Sequence, residues 1–115
     1  MNIGFIGTGL MGSPMIKNLL KSKHKISIFN RTISKAKKLK KYGAYLSYKI
    51  EELVKDKEII ITMLTDDKAV NDIIRSKTFL NNVCKQTTVI DMSSTKPSTA
   101  LDNYKTLKKR GVYFL

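Results

Sequence analysis

An α/β fold built on a parallel sheet is what this sequence predicts, and three observations predict it. Strand-like apolar runs alternate with segments of helical period along all 115 residues. The run 58–64, Glu-Ile-Ile-Ile-Thr-Met-Leu, is almost continuously apolar, as a central strand covered on both faces must be. The apolar run that begins at Ile3 leads straight into Gly7-x-Gly9-x-x-Gly12, placed where a first strand turns into a first helix.

The elements follow in order. The first strand is Asn2–Ile6. The first helix spans about Leu10–Lys21, with Met11, Met15, Ile16, Leu19 and Leu20 at helical spacing, and Pro14 near its first turn, where a missing N–H does least harm. Strand two is Lys25–Asn30. A lysine-rich helix is expected over about Ser34–Lys41, closed by Gly43. A short strand at Ala44–Leu46 and a small helix at Ile50–Val54 come next, then strand four at Glu58–Leu64. Asp66 or Asp67 caps a helix running to about Arg75. A strand at Thr88–Met92, a helix at Pro97–Lys109 ended by Gly111, and a last strand opening at Val112–Leu115 complete the pattern. This is a Rossmann-type doubly wound sheet, a single three-layer domain over residues 1–115 that ends at about the sixth strand.

Composition narrows the function classes. There is a single cysteine, Cys84, with no His or acid beside it, so it reads as a structural thiol in a reducing setting. No apolar stretch approaches the roughly 20 residues that span a bilayer. No basic leader segment or presequence precedes the first strand, so a cytoplasmic location and no membrane partner are expected. The net charge of +13 is almost all lysine, with Arg only at 31, 75 and 110. These lysines fall mainly on helices and helix ends, without aromatic interleaving in the sequence or an RNA-binding motif. They read as a solvated face, and no specific nucleic-acid partner is expected. His24 lies in the turn before strand two, away from the strand ends where ligands bind, and is read as structural.

The chemistry is carried by the glycine turn. Gly7 permits the tight turn, Gly9 lets backbone approach a pyrophosphate, and Gly12 lets the helix pack closely on the strand. Thr8, Leu10 and Met11 complete the cradle, whose free N–H groups and helix dipole suit a diphosphate. A second signature stands at the end of strand two. A domain preferring NAD carries an acid there, about 20 residues past the glycines, to take the ribose hydroxyls. This chain has Asn30-Arg31-Thr32, with Lys35 one turn into the next helix. A guanidinium grips a 2′-phosphate that a carboxylate would repel, so NADP(H) is expected over NAD(H).

With these residues in place, the chain resembles the β-hydroxyacid dehydrogenases. That group includes 3-hydroxyisobutyrate dehydrogenase and the glyoxylate/succinic semialdehyde reductases, and it shares a nucleotide-binding domain with 6-phosphogluconate dehydrogenase. The matching segments are Gly-Phe-Ile-Gly-Thr-Gly-Leu-Met-Gly (4–12), Asn30-Arg31-Thr32-x-x-Lys35, Gly43-Ala44, Met63-Leu64-Thr65-Asp66 and Asp91-Met92-Ser93-Ser94-Thr95. The resemblance implies that Met63, Leu64 and Thr65 lie along the nicotinamide half of the cofactor and that Ser94 contacts it. It also implies a hydride transfer between NADP(H) and a small hydroxy acid, semialdehyde or keto acid. The family's substrate segment, Asp-Ala-Pro-Val-Ser-Gly, and its catalytic lysine follow the point reached at Phe114-Leu115. No residue of this chain is therefore assigned a catalytic role. The helical catalytic domain is expected to lie outside it, and the isolated chain is expected to bind dinucleotide without turnover. A homo-oligomer is compatible with this reading, and no metal site is expected. A non-catalytic dinucleotide-binding module, or a truncated relic, stays open as the alternative.

Overall fold

The computed structural model describes residues 1–7 and 12–115. Six strands form one sheet in the order β3-β2-β1-β4-β5-β6: β1 (Asn2–Ile6), β2 (Lys25–Phe29), β3 (Tyr45–Leu46), β4 (Ile59–Thr62), β5 (Thr88–Asp91) and β6 (Tyr113–Phe114). Every pairing is parallel, with β1 in register against both β2 (Phe5 opposite Ile28) and β4 (Phe5 opposite Ile61). The chain leaves β1 towards β2 and β3, then returns to β4 on the other side. The strand order therefore reverses between β1 and β4, and the ends of those two strands form the crevice where such sheets take ligands.

Strand alternation divides the core in two. Phe5, Ile26, Ile28 and Ile61 face one side with Ile16, Ala36 and Leu39, under α1 (Gly12–Lys21) and α2 (Ile33–Lys37). Ile6, Ile60 and Val89 face the other with Leu53, Val70, Ile74, Phe79 and Leu107. That side is covered by α3 (Ile50–Val54), α4 (Asp67–Ile74), α5 (Lys77–Asn82) and α6 (Pro97–Lys108). Parallel strands covered on both faces explain why the β4 sequence is apolar throughout rather than alternating.

Three local differences from the sequence expectation have physical causes. The lysine-rich helix stops at Lys37, and Lys40–Tyr42 forms a separate 3₁₀ turn. A continuous helix would stack Lys37 on Lys41 and Lys38 on Lys41, like-charge neighbours that disfavour it. Gly43, at φ 101°, still provides the left-handed stop. β4 ends at Thr62 instead of Leu64, because the Leu64 N–H turns away to a serine hydroxyl. And α5 was not expected at all: Ser76 caps it, its hydroxyl accepting from the Phe79 N–H at 3.1 Å, and Phe79 is fully buried beneath it.

Candidate functional site

The carboxyl ends of β1, β2, β4 and β5 meet at the crevice, and each brings one part of the site. β1 leads into Gly7, buried, with φ 97°. Its N–H donates to the Phe29 carbonyl across to β2 at 2.9 Å. A Cβ on Gly7 would lie 2.2 Å from the Met63 carbonyl oxygen, and its conformation is one that L side chains rarely adopt. Gly12, at the start of α1, is close-packed as well: a Cβ there would meet the Gly7 carbonyl oxygen at 3.0 Å and the Phe5 ring at 3.2 Å. Both glycines thus have the roles expected of them, turn and close helix packing. The expected cradle residues Thr8, Gly9, Leu10 and Met11 lie outside the described residues.

The end of β2 carries the cationic part. Asn30 Nδ2 donates to the Thr32 carbonyl at 2.9 Å, which folds the 30–32 loop over the strand end. Arg31, Thr32 and Lys35 are exposed. Thr32 is the N-cap of α2 without using its hydroxyl for that purpose, so the oxygen stays available. Among the described residues, no carboxylate pairs with Arg31 or Lys35.

The ends of β4 and β5 are locked together by a polar network that the sequence reading did not identify. Thr62 is fully buried, and its hydroxyl donates to Asp91 Oδ1 at 2.9 Å. The same carboxylate oxygen accepts from the Ser93 N–H at 3.0 Å. Ser93 Oγ in turn accepts from the Leu64 N–H at 2.8 Å. The carboxylate therefore fixes Ser93, and Ser93 holds the Met63-Leu64-Thr65 loop. Met63 and Leu64 are half-buried and Thr65 is exposed at the rim. Ser94 is exposed next to Ser93, free of the role its neighbour plays. Only a polar residue ending an otherwise apolar strand (Thr62) hinted at this network.

Just below the rim, Asp66 caps α4, accepting from the Ala69 N–H at 2.8 Å. Asp67 Oδ2 accepts from Thr99 Oγ1 at 2.6 Å and from the Lys96 N–H at 3.0 Å, tying the start of α4 to the start of α6. The Thr99 hydrogen bond first, and the Lys96 N–H with it, hold the Asp67 carboxyl below its usual value of 3.8. Among the described residues no group of three or more His, Cys, Asp or Glu could hold a metal, and no helix is long and apolar enough to cross a membrane.

This glycine turn, at the switch point of a 3-2-1-4-5-6 sheet, is the frame of a dinucleotide site, and its close-packed glycines fit that ligand. The family described as the NAD binding domain of 6-phosphogluconate dehydrogenase matches residues 2–115. The chain belongs to that family. It is 34% identical to glyoxylate/succinic semialdehyde reductase 1 of Arabidopsis thaliana, over 100% of its own length and 40% of that protein. A 3-hydroxyisobutyrate dehydrogenase of Mycobacterium tuberculosis superposes with a TM-score of 0.92 at 25% identity, over 98% of this domain and 38% of that chain. An imine reductase from Myxococcus stipitatus in complex with NADP+ gives 0.92 at 25% identity, over 99% and 39%. A variant of that reductase in complex with NAD+ shares the fold, with a TM-score of 0.91. The domain thus spans about 40% of the length of the reductase from Arabidopsis. The resemblance drawn from its five motifs is to the right group: it is a nicotinamide-dinucleotide-binding domain of the β-hydroxyacid dehydrogenase type.

Proposed function

We propose that this domain binds NADP(H) in preference to NAD(H), and serves an oxidoreductase that moves a hydride between the nicotinamide and a small hydroxy acid, semialdehyde or keto acid. The observation that carries the cofactor preference is Arg31. It is exposed at the carboxyl end of β2, unpaired with any carboxylate among the described residues, where a domain built for NAD places an acid. Arg31 grips the 2′-phosphate by charge-assisted hydrogen bonds, Thr32 adds a hydroxyl and Lys35 adds charge. Thr8, Gly9, Leu10 and Met11 cover the pyrophosphate. On the β4–β5 side, Met63, Leu64, Thr65 and Ser94 border the nicotinamide half.

The cofactor supplies the hydride chemistry, and the domain binds and orients it. The domain's own contribution is a rigid floor: Gly7 against the Met63 carbonyl, and Ser93 holding the Leu64 N–H, fix one half of the crevice relative to the other. The acid–base group and the substrate-holding residues are assigned to other parts of a full-length enzyme, and the domain alone is expected to be without turnover.

Adenosine 2′,5′-bisphosphate and adenosine 5′-monophosphate test the Arg31 assignment without the nicotinamide. The bisphosphate should bind about 10- to 100-fold more tightly, the value of one hydrogen bond to a charged group, and Arg31→Ala should abolish the difference. Equal affinities in the unaltered chain would sink the NADP(H) assignment.

A further inference from the structure

The net charge of this chain is unevenly distributed. All nine acidic residues fall within 51–115, while residues 1–50 hold eleven Lys and Arg and no acid. Those fifty residues build α1, β2, α2 and β3, one lateral half of the sheet. Much of this charge is not at the cofactor crevice. α1 runs back from the end of β1 to the beginning of β2, so its last turns sit at the opposite, amino-terminal end of the parallel strands. The 3₁₀ turn that precedes β3 arrives at the same end. There Lys17, Leu20, Lys21 and Tyr42 line a shallow hollow.

The centre of this hollow is an exposed ring. Tyr42 is 45% exposed, with Lys17 Nζ 4.5 Å and Lys41 Nζ 5.2 Å from its ring centroid. Among the described residues none of the three lysines pairs with a carboxylate. One further tyrosine, Tyr45 at 61% exposure, follows on the edge strand β3. β3 pairs only with β2, so its outer side is open. The aromatic interleaving missing from the lysine runs in sequence is therefore present on the surface. Along the chain acidity resumes only at Glu51 and Glu52, and at this end of the sheet Asp56 and Glu58 stand beside Asn2, on the β1–β4 side.

We propose that this end of the β2–β3 half, centred on Tyr42, is a binding surface for single-stranded nucleic acid that is indifferent to base sequence. The chemistry of the patch selects that partner. Lysines neutralise a phosphate backbone, and exposed tyrosines offer stacking platforms for unpaired bases. A base stacked on Tyr42 takes the place of one ammonium over the ring and leaves that ammonium beside the neighbouring phosphate. A duplex keeps its bases hidden from such rings. An acidic peptide has no flat bases to stack. A membrane surface calls for an apolar face turned outwards, and that of α1 is turned into the core through Ile16. The hydrogen bond from Lys17 and the charges of Lys17 and Lys41 also draw the Tyr42 phenol below its usual 10.0, a sign of how cationic its surroundings are. The surface stands at the opposite end of the strands from the crevice and does not depend on the cofactor reading.

Fluorescence anisotropy of labelled U20 and T20 oligonucleotides with the 115-residue chain tests this, at 50 and 200 mM NaCl and with and without NADPH. We expect saturable binding that NADPH leaves unchanged. Tyr42→Ala should weaken it about tenfold, the worth of one stacked base, and Tyr42→Phe should retain it. Combined Lys17→Ala, Lys21→Ala and Lys41→Ala should flatten the salt dependence by about two ion equivalents. Removing the same charge away from any ring contact, with Lys77→Ala, Lys85→Ala and Lys96→Ala, should do less. The proposal is overturned by no binding at 50 mM NaCl. It is equally overturned by a loss that is the same for both lysine triples and insensitive to Tyr42→Ala. Tighter binding to polyglutamate or to phosphatidylserine vesicles than to either oligonucleotide would also contradict it.

Discussion

Gly7 shows at a single residue how the turn is held. Its φ of 97° and the 2.2 Å approach of a built Cβ to the Met63 carbonyl leave no room for a side chain. Gly7→Ala combines a left-handed backbone with a backbone overlap and should cost more than about 2 kcal/mol in urea unfolding. Ser93 acts through another residue. Ser93→Ala leaves the Leu64 N–H without its partner, a loss of about 1–3 kcal/mol. Because it frees only the β4 side of the crevice, it should weaken NADPH while leaving adenosine 2′,5′-bisphosphate unchanged. Equal weakening of both ligands would show that the network supports the fold in general rather than that half of the site. The turn and packing roles of Gly7 and Gly12 were legible in the sequence because glycine at that spacing is diagnostic, and the role of Arg31 is proposed from its type and position. The role of Ser93 was not legible, since its partner is a backbone N–H twenty-nine residues away, and only the pairing of β4 with β5 brings the two together.

Short elements depend on their caps and anchors. α5 has six residues and depends on Ser76 and Phe79. Ser76→Ala should cost about 1 kcal/mol and Phe79→Ala about 3–5 kcal/mol, read from denaturation midpoints. The helix escaped the sequence reading because six residues hold too little periodicity, and its only signal was a serine three positions before a phenylalanine. The lysine-rich helix ends at Lys37 rather than the expected Lys41, since propensity favours lysine while stacking Lys37 and Lys38 on Lys41 opposes it. Asp67 joins α4 to α6 in a pH-dependent way. Its carboxyl is held below 3.8 by Thr99 and the Lys96 N–H. A lowered carboxyl pKa stabilises the fold fully above the unfolded value, and the effect is lost as the pH falls through the folded one. Thr99→Val should therefore destabilise the chain near neutrality, and the gap to the unaltered chain should narrow below about pH 4. A gap that stays constant down to pH 2.5 would exclude Asp67 as the group responsible.

At the scale of the whole molecule, the order β3-β2-β1-β4-β5-β6 makes the site, because it opens a crevice between β1 and β4. The doubly wound parallel class could be read in advance, from six strands alternating with helices and one glycine turn, whereas the order itself comes from the strand pairings. The uneven distribution of charge adds a second property. With +13 overall and no acid in the first fifty residues, the fold works against its own repulsion, and its thermal midpoint should rise as NaCl increases from 0 to 0.3 M. The crevice is proposed to take a dinucleotide with Arg31 on its 2′-phosphate. Calorimetric titration of the chain with NADPH, with NADH, and of Arg31→Ala with both tests it most directly. One site per chain is expected, with NADPH bound at least about tenfold more tightly than NADH and that difference gone in Arg31→Ala. NADH bound as tightly as NADPH, or neither bound by a chain shown to be folded, would contradict it.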